Sequence, residues 1–141
     1  MKSITIPFNG APLTFAVPKE NLIEVLSPRY SMPLSNLKKA IEEALDNPIH
    51  QKPLGQWVKP SDRVVIVSDD NTRLTPSDLI IPPLLARLNE AGVADQQISC
   101  IMALGTHRYM TDKEMADKVG EQVYGRIDVF NHEWQDAESL L

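Results

Sequence analysis

The sequence has a single cysteine, no long apolar run and no excess of positive charge. One cysteine cannot build a disulfide framework, and the apolar stretch around Cys100 favours a buried, unreactive thiol. Proline and charged residues recur throughout, so no segment approaches the ~18 apolar residues needed to cross a bilayer. No signal-peptide core follows Met1. We therefore expect a cytoplasmic protein without a membrane partner.

The charge and the absent motifs exclude further classes of partner. Lys and Arg number 14 against 19 Asp and Glu, which gives a net charge of -5. Nucleic acid is therefore not an expected partner. The patterns Gly-x-Gly-x-x-Gly and Gly-x-x-x-x-Gly-Lys-Ser/Thr are absent, which argues against the common dinucleotide and nucleoside-triphosphate folds. Three histidines and one cysteine show no zinc-site spacing, so we expect no metal site within the chain.

The length and composition are those of one soluble domain. With 141 residues, 43% hydrophobic and 23% charged, the chain can bury a core. No repeat or linker divides it, so residues 1–141 are expected to form a single domain. Asn9-Gly10 between the β-prone residues 4–8 and 13–17 predicts an antiparallel hairpin.

Apolar residues at helical spacing then predict an amphipathic helix. Ser35 is its predicted N-cap, and Asn47-Pro48 its predicted end. The residues that carry the spacing are Leu37, Ala40, Ile41, Ala44 and Leu45.

From residue 58 onward the sequence repeats a short apolar strand, a polar loop and a helix. Strands are predicted at residues 64–67, 98–104 and 126–130. The first is continuously β-branched, as expected for a parallel strand buried on both faces. Helical crossovers between parallel strands predict an α/β fold. We expect a mainly parallel sheet with βαβ units and an N-terminal β-hairpin.

The helices between these strands carry start signals. Thr75 is predicted as the N-cap of the first, with Pro76 at the first helical position. Thr111 opens the second. Pro82 and Pro83 lie inside the first helix and predict a bend or a split, because proline removes a backbone donor and clashes with the preceding turn.

The loop after the first predicted strand is dense in polar side chains. Considered alone, such a loop is a solvated turn about as often as a functional one. Arg73 at a strand end suits two-point binding of a carboxylate or phosphate, because its planar fork matches both anions. The five consecutive polar residues are Asp69, Asp70, Asn71, Thr72 and Arg73.

The loop after the second predicted strand contains Gly105-Thr106-His107. A histidine chosen at random is usually a surface or capping residue, but an unperturbed imidazole titrates near ~6.5 and can exchange protons near neutrality. The carboxyl ends of parallel strands share one edge, so His107 and Arg73 are expected to converge as a general base beside an anion clamp. For His132, after the third strand, a supporting role and a structural role stay equally open. His50 is expected in a surface loop.

These loops resemble the signatures of the nickel-dependent lactate racemase family. Residues 68–76, Ser-Asp-Asp-Asn-Thr-Arg-Leu-Thr-Pro, resemble the family's Asp-x-Thr-Arg-Pro-Thr-Pro signature. Residues 103–108, Ala-Leu-Gly-Thr-His-Arg, are similar to a second signature, and Met110-Thr111, the Glu-x-Val-Tyr run at 121–124 and Asn131-His132 follow in the expected order. The resemblance spans nearly the whole chain. Leu74 departs from the family, which usually has proline there, and this changes the stiffness of the loop more than its chemistry.

The resemblance implies the N-terminal half of a two-domain racemase or epimerase of 2-hydroxy acids. In it His107 is one of two catalytic histidines and Arg73 positions the substrate carboxylate. Asp70 is an acidic residue near the cofactor, and Thr72 and Thr106 are weaker candidates for contacting it. The implied cofactor is a nickel-pincer pyridinium mononucleotide, bound covalently through a lysine. That lysine, the nickel-ligating histidine and the second catalytic histidine are expected from a C-terminal domain absent from this chain.

The implied reaction passes a hydride from the α-carbon of the substrate to the cofactor ring while a histidine takes the hydroxyl proton. Return of the hydride to the opposite face inverts the centre. Because one of the two bases is missing, we expect the chain alone to be inactive and to hold no covalent cofactor. The alternative is a stand-alone module that binds a small anion or nucleotide without turnover. A purely structural domain would make the grouping of polar residues a coincidence. The sequence leaves open which 2-hydroxy acid is used and whether a homo-oligomer forms.

Overall fold

Three parallel strands form the sheet that positions the candidate site. The computed structural model describes residues 1–139 and places β3 (Val64–Asp69), β4 (Ile98–Ala103) and β5 (Asp128–Asn131) side by side in that order. The register pairs Asp69 with Ala103 and Met102 with Asn131. The carboxyl ends of all three strands therefore lie at one edge, and the predicted α/β class is confirmed.

The chain divides into two compact units, Met1–Pro33 and a second that begins at Leu34. In the first unit β1 (Lys2–Phe8) pairs with β2 (Ala11–Val17) in an antiparallel hairpin. Asn9 and Gly10 form its turn with φ of 47° and 78°, the left-handed conformations that asparagine and glycine tolerate. The predicted hairpin is confirmed. That residues 1–141 form a single domain stays a prediction.

The second unit begins with α1 (Leu37–Asp46), which confirms the predicted helix but not its cap. Asn36, not Ser35, is the N-cap, because its backbone is extended and its Oδ1 accepts a hydrogen bond from the Lys39 amide at 3.0 Å. The helix ends at Asn47 as predicted. The Arg87 guanidinium donates to the Asp46 carboxylate at 2.9 and 3.2 Å and ties α1 to the next helix.

Three further helices, α2 (Ser77–Glu90), α3 (Asp112–Val119) and α4 (Glu121–Tyr124), connect the strands. Short 3-10 turns occupy Lys19–Asn21, Leu54–Gln56, Asp95–Gln97 and Ala137–Ser139. In the part of the chain that the structure describes, no helix is long and apolar enough to cross a membrane.

The start and the middle of α2 differ from the prediction. Pro76 stands at the N-cap, not Thr75, whose hydroxyl instead donates to the Asp69 carboxylate at 2.5 Å. Pro82 and Pro83 lie within one continuous helix, so the helix is not split. Proline has no N–H, so these residues leave two carbonyls of the first turn without their usual donor. A bend at this point stays a prediction.

The core lies between the sheet and the helices on one of its faces. Fully burying one large apolar side chain, such as a leucine, stabilises the fold by roughly 1.5–3 kcal/mol. Burial raises the pKa of the Cys100 thiol to about 11, in keeping with an unreactive cysteine. The largest fully buried side chains are Leu85, Leu88, Met102, Leu104, Val93, Val119, Val123 and Cys100.

The opposite face of the sheet is open in the described residues. Val65 and Val67 are 53% and 69% exposed, and Phe130 is exposed on β5. The prediction that the first parallel strand is buried on both faces is therefore wrong for this structure, because α2, α3 and α4 cover only the face that carries Cys100 and Met102.

Candidate active site

The loops that follow β3 and β4 enclose a small cleft of about 300 Å³. Arg73 from the first loop and His107 from the second both line it, as expected for residues that follow adjacent parallel strands. Its lining consists of Asp69, Asp70, Arg73, Ala103, Leu104, Gly105, Thr106 and His107. All of these belong to the two segments singled out in the sequence, residues 69–73 and 103–108.

A larger recess of about 580 Å³ lies along β3, away from these loops. It is lined mainly by apolar side chains, among them Leu54, Trp57, Leu84 and Leu88. Its charged residues are Asp62 and Arg63. Within the described part of the chain, neither is paired with a side chain that could act as a general base. The smaller cleft is the better candidate because a buried carboxylate, a histidine bonded to it and an arginine meet there.

The central contact of the cleft joins His107 to Asp70. The imidazole Nδ1 lies 2.5 Å from Oδ2 of Asp70, whose side chain is 4% exposed, whereas the His107 side chain is 52% exposed. The other carboxylate oxygen accepts from the Thr72 hydroxyl at 2.6 Å and from the Thr72 amide at 3.0 Å. Both oxygens of this buried carboxylate are therefore satisfied, one by its own loop and one by the neighbouring loop.

These contacts keep Asp70 ionised. Burial raises the pKa of Asp70, but the hydrogen bonds from the Thr72 hydroxyl, the His107 ring and the Thr72 amide together outweigh it and hold the pKa at about 2. An ionised carboxylate only accepts hydrogen bonds, so Nδ1 of His107 carries the proton that it donates. In the neutral ring the free lone pair is then on Nε2.

The backbone conformation of each loop sets these positions. Asp70 is the first residue of a turn, in which its carbonyl accepts a hydrogen bond from the Arg73 amide at 3.2 Å. Gly105 has φ of 59°, a left-handed conformation that turns the chain sharply out of β4. The His107 amide then bonds the Leu104 carbonyl at 3.0 Å, and the Trp134 indole donates to the His107 carbonyl at 2.9 Å.

Arg73 is exposed, and its guanidinium group makes no hydrogen bond or ion pair within residues 1–139. Its backbone, by contrast, is held at both the amide and the carbonyl. A free guanidinium on a fixed backbone is suited to binding an anion in two places.

The other predicted residues lie around this centre. The Thr72 hydroxyl is turned toward Asp70, while Thr106 lines the cleft and makes no hydrogen bond with another described residue. The His132 amide bonds the Met102 carbonyl, which extends β5 by one residue. His50 is an exposed loop residue with φ of 53°, as the sequence indicates.

A group of polar contacts around Glu114, at the start of α3, was not predicted from the sequence. The Glu114 carboxylate accepts from both terminal nitrogens of Arg108 at 2.6 and 2.9 Å, and from the Asn71 amide group at 3.0 Å. It thus joins the loop after β3 to the loop after β4. The Arg108 guanidinium and the Thr111 amide lower the pKa of Glu114 to about 2. Its capping position three residues after Thr111 was visible in the sequence, but its link between the loops was not.

Within residues 1–139 no three His, Cys, Asp or Glu side chains are grouped so that they could hold a metal ion. Which residues contact substrate or cofactor stays a prediction. What the geometry brings together is an oriented histidine and a free arginine in one cleft.

The sequence profile described as the lactate racemase N-terminal domain matches residues 8–141. The lactate racemase of Lactiplantibacillus plantarum is 31% identical over the whole of this chain, and that of Thermoanaerobacterium thermosaccharolyticum is 28% identical over 99% of it. The chain spans 34% and 33% of the lengths of these two relatives.

Solved structures agree with this relationship. The lactate racemase apoprotein from T. thermosaccharolyticum superimposes with a TM-score of 0.74 at 28% identity, over 94% of this chain and 30% of that one. A crystal structure of a Thermotoga maritima protein matches with a TM-score of 0.59 at 26% identity, over 77% of this chain and 24% of that one. The chain therefore belongs to the family of lactate racemase N-terminal domains.

Proposed function

We propose that this chain supplies one half of the active site of a 2-hydroxy-acid racemase of the lactate type. In this proposal Arg73 binds the carboxylate of the substrate and His107 exchanges the proton of its hydroxyl group. The observation that carries the proposal is the contact of His107 with the buried Asp70, in the same cleft as the free guanidinium of Arg73. Family membership supports it.

The proton chemistry of His107 follows from its hydrogen bond. With Nδ1 donating to Asp70, Nε2 is the atom that accepts the hydroxyl proton of the substrate. The charge that develops on the ring is stabilised by the ionised carboxylate 2.5 Å away. Asp70 therefore orients the ring and stabilises its protonated form, and it does not itself take up the proton. This orienting role is the one its contacts favour, while direct contact with a cofactor stays a prediction.

Arg73 fixes the other end of the substrate. A guanidinium group binds a carboxylate through two parallel hydrogen bonds, which hold the anion in a defined plane. In a small 2-hydroxy acid the carboxylate and the hydroxyl are attached to the same carbon. Binding of the carboxylate at Arg73 therefore holds the hydroxyl inside the same cleft, which His107 also lines.

The groups at the cleft fit a contact with the cofactor of the family rather than the binding of its nickel. A Cβ built on Gly105 would meet no heavy atom within 4 Å, so space beside the loop is open, and Thr106 lines the same cleft. Thr106 and the backbone at Gly105 are the groups that would contact a bound cofactor. The chemistry supplied by a nickel-pincer pyridinium mononucleotide, when bound, is hydride exchange with the α-carbon. The nickel ligands are expected outside residues 1–139.

Because the chain spans about a third of the relatives, the complete reaction needs residues beyond it. We propose that the 141-residue chain binds a 2-hydroxy acid weakly and does not racemise it. The runner-up function, anion binding without turnover, predicts the same binding but no racemisation by the full-length protein either.

The experiment that separates the two is a racemase assay of the full-length protein, loaded with its cofactor, started separately from each lactate enantiomer. Formation of the opposite enantiomer supports the proposal. Binding of lactate with no interconversion, at a nickel content that shows loading, favours the anion-binding module and contradicts the racemase. The isolated 141-residue chain serves as the control that is expected to be inactive.

A further inference from the structure

Lys118, on α3, is an unusual lysine because its side chain is only 7% exposed. Its ammonium group lies 2.9 Å from the Asp69 carboxylate and donates to the carbonyl of Arg73 and to the carbonyl of Thr75, each at 3.0 Å. Two of these contacts are hydrogen bonds to backbone carbonyls, and the third is an ion pair with a carboxylate. The contacts join residues that are 43 and 45 positions apart in the chain.

The acceptors belong to the segment that carries the free guanidinium of Arg73. One is the carbonyl of Arg73 itself, one is the carbonyl two residues later, and the third is a carboxylate at the end of β3. Other hydrogen bonds of this segment, such as Arg73 amide to Asp70 carbonyl, are local to the loop. Asn71 is tied to Glu114, but that contact lies on the exposed side. Lys118 is therefore the buried link between Arg73 and the helical layer.

Burying a cation is costly unless hydrogen bonds and opposite charge compensate it, and here they do. The Asp69 carboxylate is shared with the Thr75 hydroxyl, so the ammonium, the carboxylate and the hydroxyl form one connected network. Such networks hold backbone positions tightly. A displacement of ~1 Å in a substrate-positioning group costs a rate factor of about 10².

We infer that Lys118 is a positioning residue for substrate binding: its ammonium group fixes the backbone carbonyls of Arg73 and Thr75 so that the Arg73 guanidinium faces the cleft. The inference rests on the proposed function of Arg73. It assigns no contact between Lys118 and the substrate, since the ammonium is held by two carbonyls and a carboxylate of the loop and Lys118 does not line the cleft.

The test uses the full-length protein loaded with its cofactor and compares Lys118→Met with Lys113→Met. Methionine keeps the length of the side chain and removes its charge. Lys113 lies on the same helix, is 79% exposed and, among the described residues, pairs only with Asp117, so it is the matched control. We expect Lys118→Met to raise KM for lactate by about 10–100-fold, with a smaller loss of kcat. The pH dependence of kcat should stay that of the wild type, because the contact between His107 and Asp70 is kept. Lys113→Met should match the wild type in all of these.

Amide hydrogen exchange over residues 70–77 supplies a readout independent of catalysis. We expect faster exchange there in Lys118→Met and unchanged exchange in the strands. If wild-type protein proves unable to racemise lactate, the proposed function fails, and the exchange comparison still decides whether Lys118 anchors the loop. Unchanged KM and unchanged exchange in Lys118→Met would overturn the inference, as would equal losses in both lysine variants.

Should Lys118→Met fail to fold, Lys118→Arg carries the test. Arginine keeps the positive charge but is too large to reproduce three contacts near 3 Å in the same space. A several-fold rise in KM with wild-type thermal stability supports positioning of Arg73. Wild-type KM together with wild-type exchange in this variant contradicts it.

Discussion

His107 Nδ1 and Asp70 Oδ2 lie 2.5 Å apart, although the two residues are 37 positions apart in the chain and follow different strands. The contact exists because β3 and β4 are neighbours in register and both loops turn toward each other at the same edge. It converts an exposed histidine into one with a defined ring orientation. The proposed chemistry depends on that orientation.

Asp70→Asn in the full-length protein is expected to keep the fold and lose most of the activity. An asparagine side chain can fill the same space, but its amide can present a donor to Nδ1 and so favour the wrong tautomer of His107. We expect kcat to fall by about 10²–10⁴-fold for both enantiomers. Steady-state kinetics measures this, with Asp117→Asn on the exposed face of α3 as the control. A loss below about threefold would remove Asp70 from the proposed mechanism.

The low pKa of Asp70 predicts how stability depends on pH. Burial raises the pKa of Asp70, but the hydrogen bonds from Thr72 and His107 lower it by more than burial raises it. The pKa therefore falls from 3.8 to about 2. A depressed pKa in the folded state stabilises the protein above the unfolded value near 3.8, and the effect is lost as pH falls toward 2. The contribution is on the order of 2 kcal/mol.

Urea denaturation of wild type and Asp70→Asn at a series of pH values measures this contribution of Asp70 to stability. The difference in unfolding free energy between the two proteins is expected to be constant above about pH 5 and to shrink steadily below about pH 4. A difference that stays constant down to the lowest pH would show that Asp70 is not held ionised by the fold.

Arg73→Lys is expected to act on substrate binding. An ammonium group keeps the charge but cannot reproduce two parallel hydrogen bonds to a carboxylate. We expect KM for lactate to rise by about 10-fold or more and thermal stability to stay unchanged, because the guanidinium makes no hydrogen bond or ion pair with other described residues. Arg63→Lys, at the far end of β3, is the matched control. Wild-type values of both kcat and KM in Arg73→Lys would exclude Arg73 from the site.

Glu114→Gln tests whether the two loops act together. The carboxylate contacts Asn71 from one loop and Arg108 from the other, and a neutral amide loses the two-point contact with the guanidinium. We expect kcat/KM to fall by about 3–10-fold with little change in melting temperature, since exposed ion pairs contribute little to stability. Glu121→Gln, at the start of α4, is the control. Equal kcat/KM values for Glu114→Gln and Glu121→Gln would show that the contact between the loops does not contribute to activity.

Much of the fold follows from local sequence signals. Asn9-Gly10 marks the hairpin because few other residues adopt two successive positive φ angles. The strand that ends at Asp69 and the helix capped by Thr111 are likewise set by β-branched residues and by a capping box. The expectation that Arg73 and His107 line one cleft follows from the rule that parallel strands share an edge, and the structure agrees.

Where the structure differs from the sequence-based predictions, the cause is a contact or an arrangement that a local sequence pattern does not show. Thr75 has the chemistry of an N-cap, but a carboxylate at the end of β3 competes for its hydroxyl. Val65 and Val67 form a strand typical of a fully buried sheet, yet the described residues provide helices for one face only. The burial of Lys118 and the contact between Asp70 and His107 depend on side chains some 40 residues apart, which no local periodicity reports.

The most direct test of the central claim is racemisation by His107→Ala in the full-length protein, assayed from each lactate enantiomer. We predict a loss of about 10²–10⁴-fold in both directions, with wild-type nickel content and melting temperature, because the ring is half exposed and contributes little to the core. His50→Asn is the control, since asparagine tolerates the positive φ at this exposed loop position. Near-normal racemisation by His107→Ala would contradict its role as the base, and loss of nickel would show that His107 is a metal ligand instead.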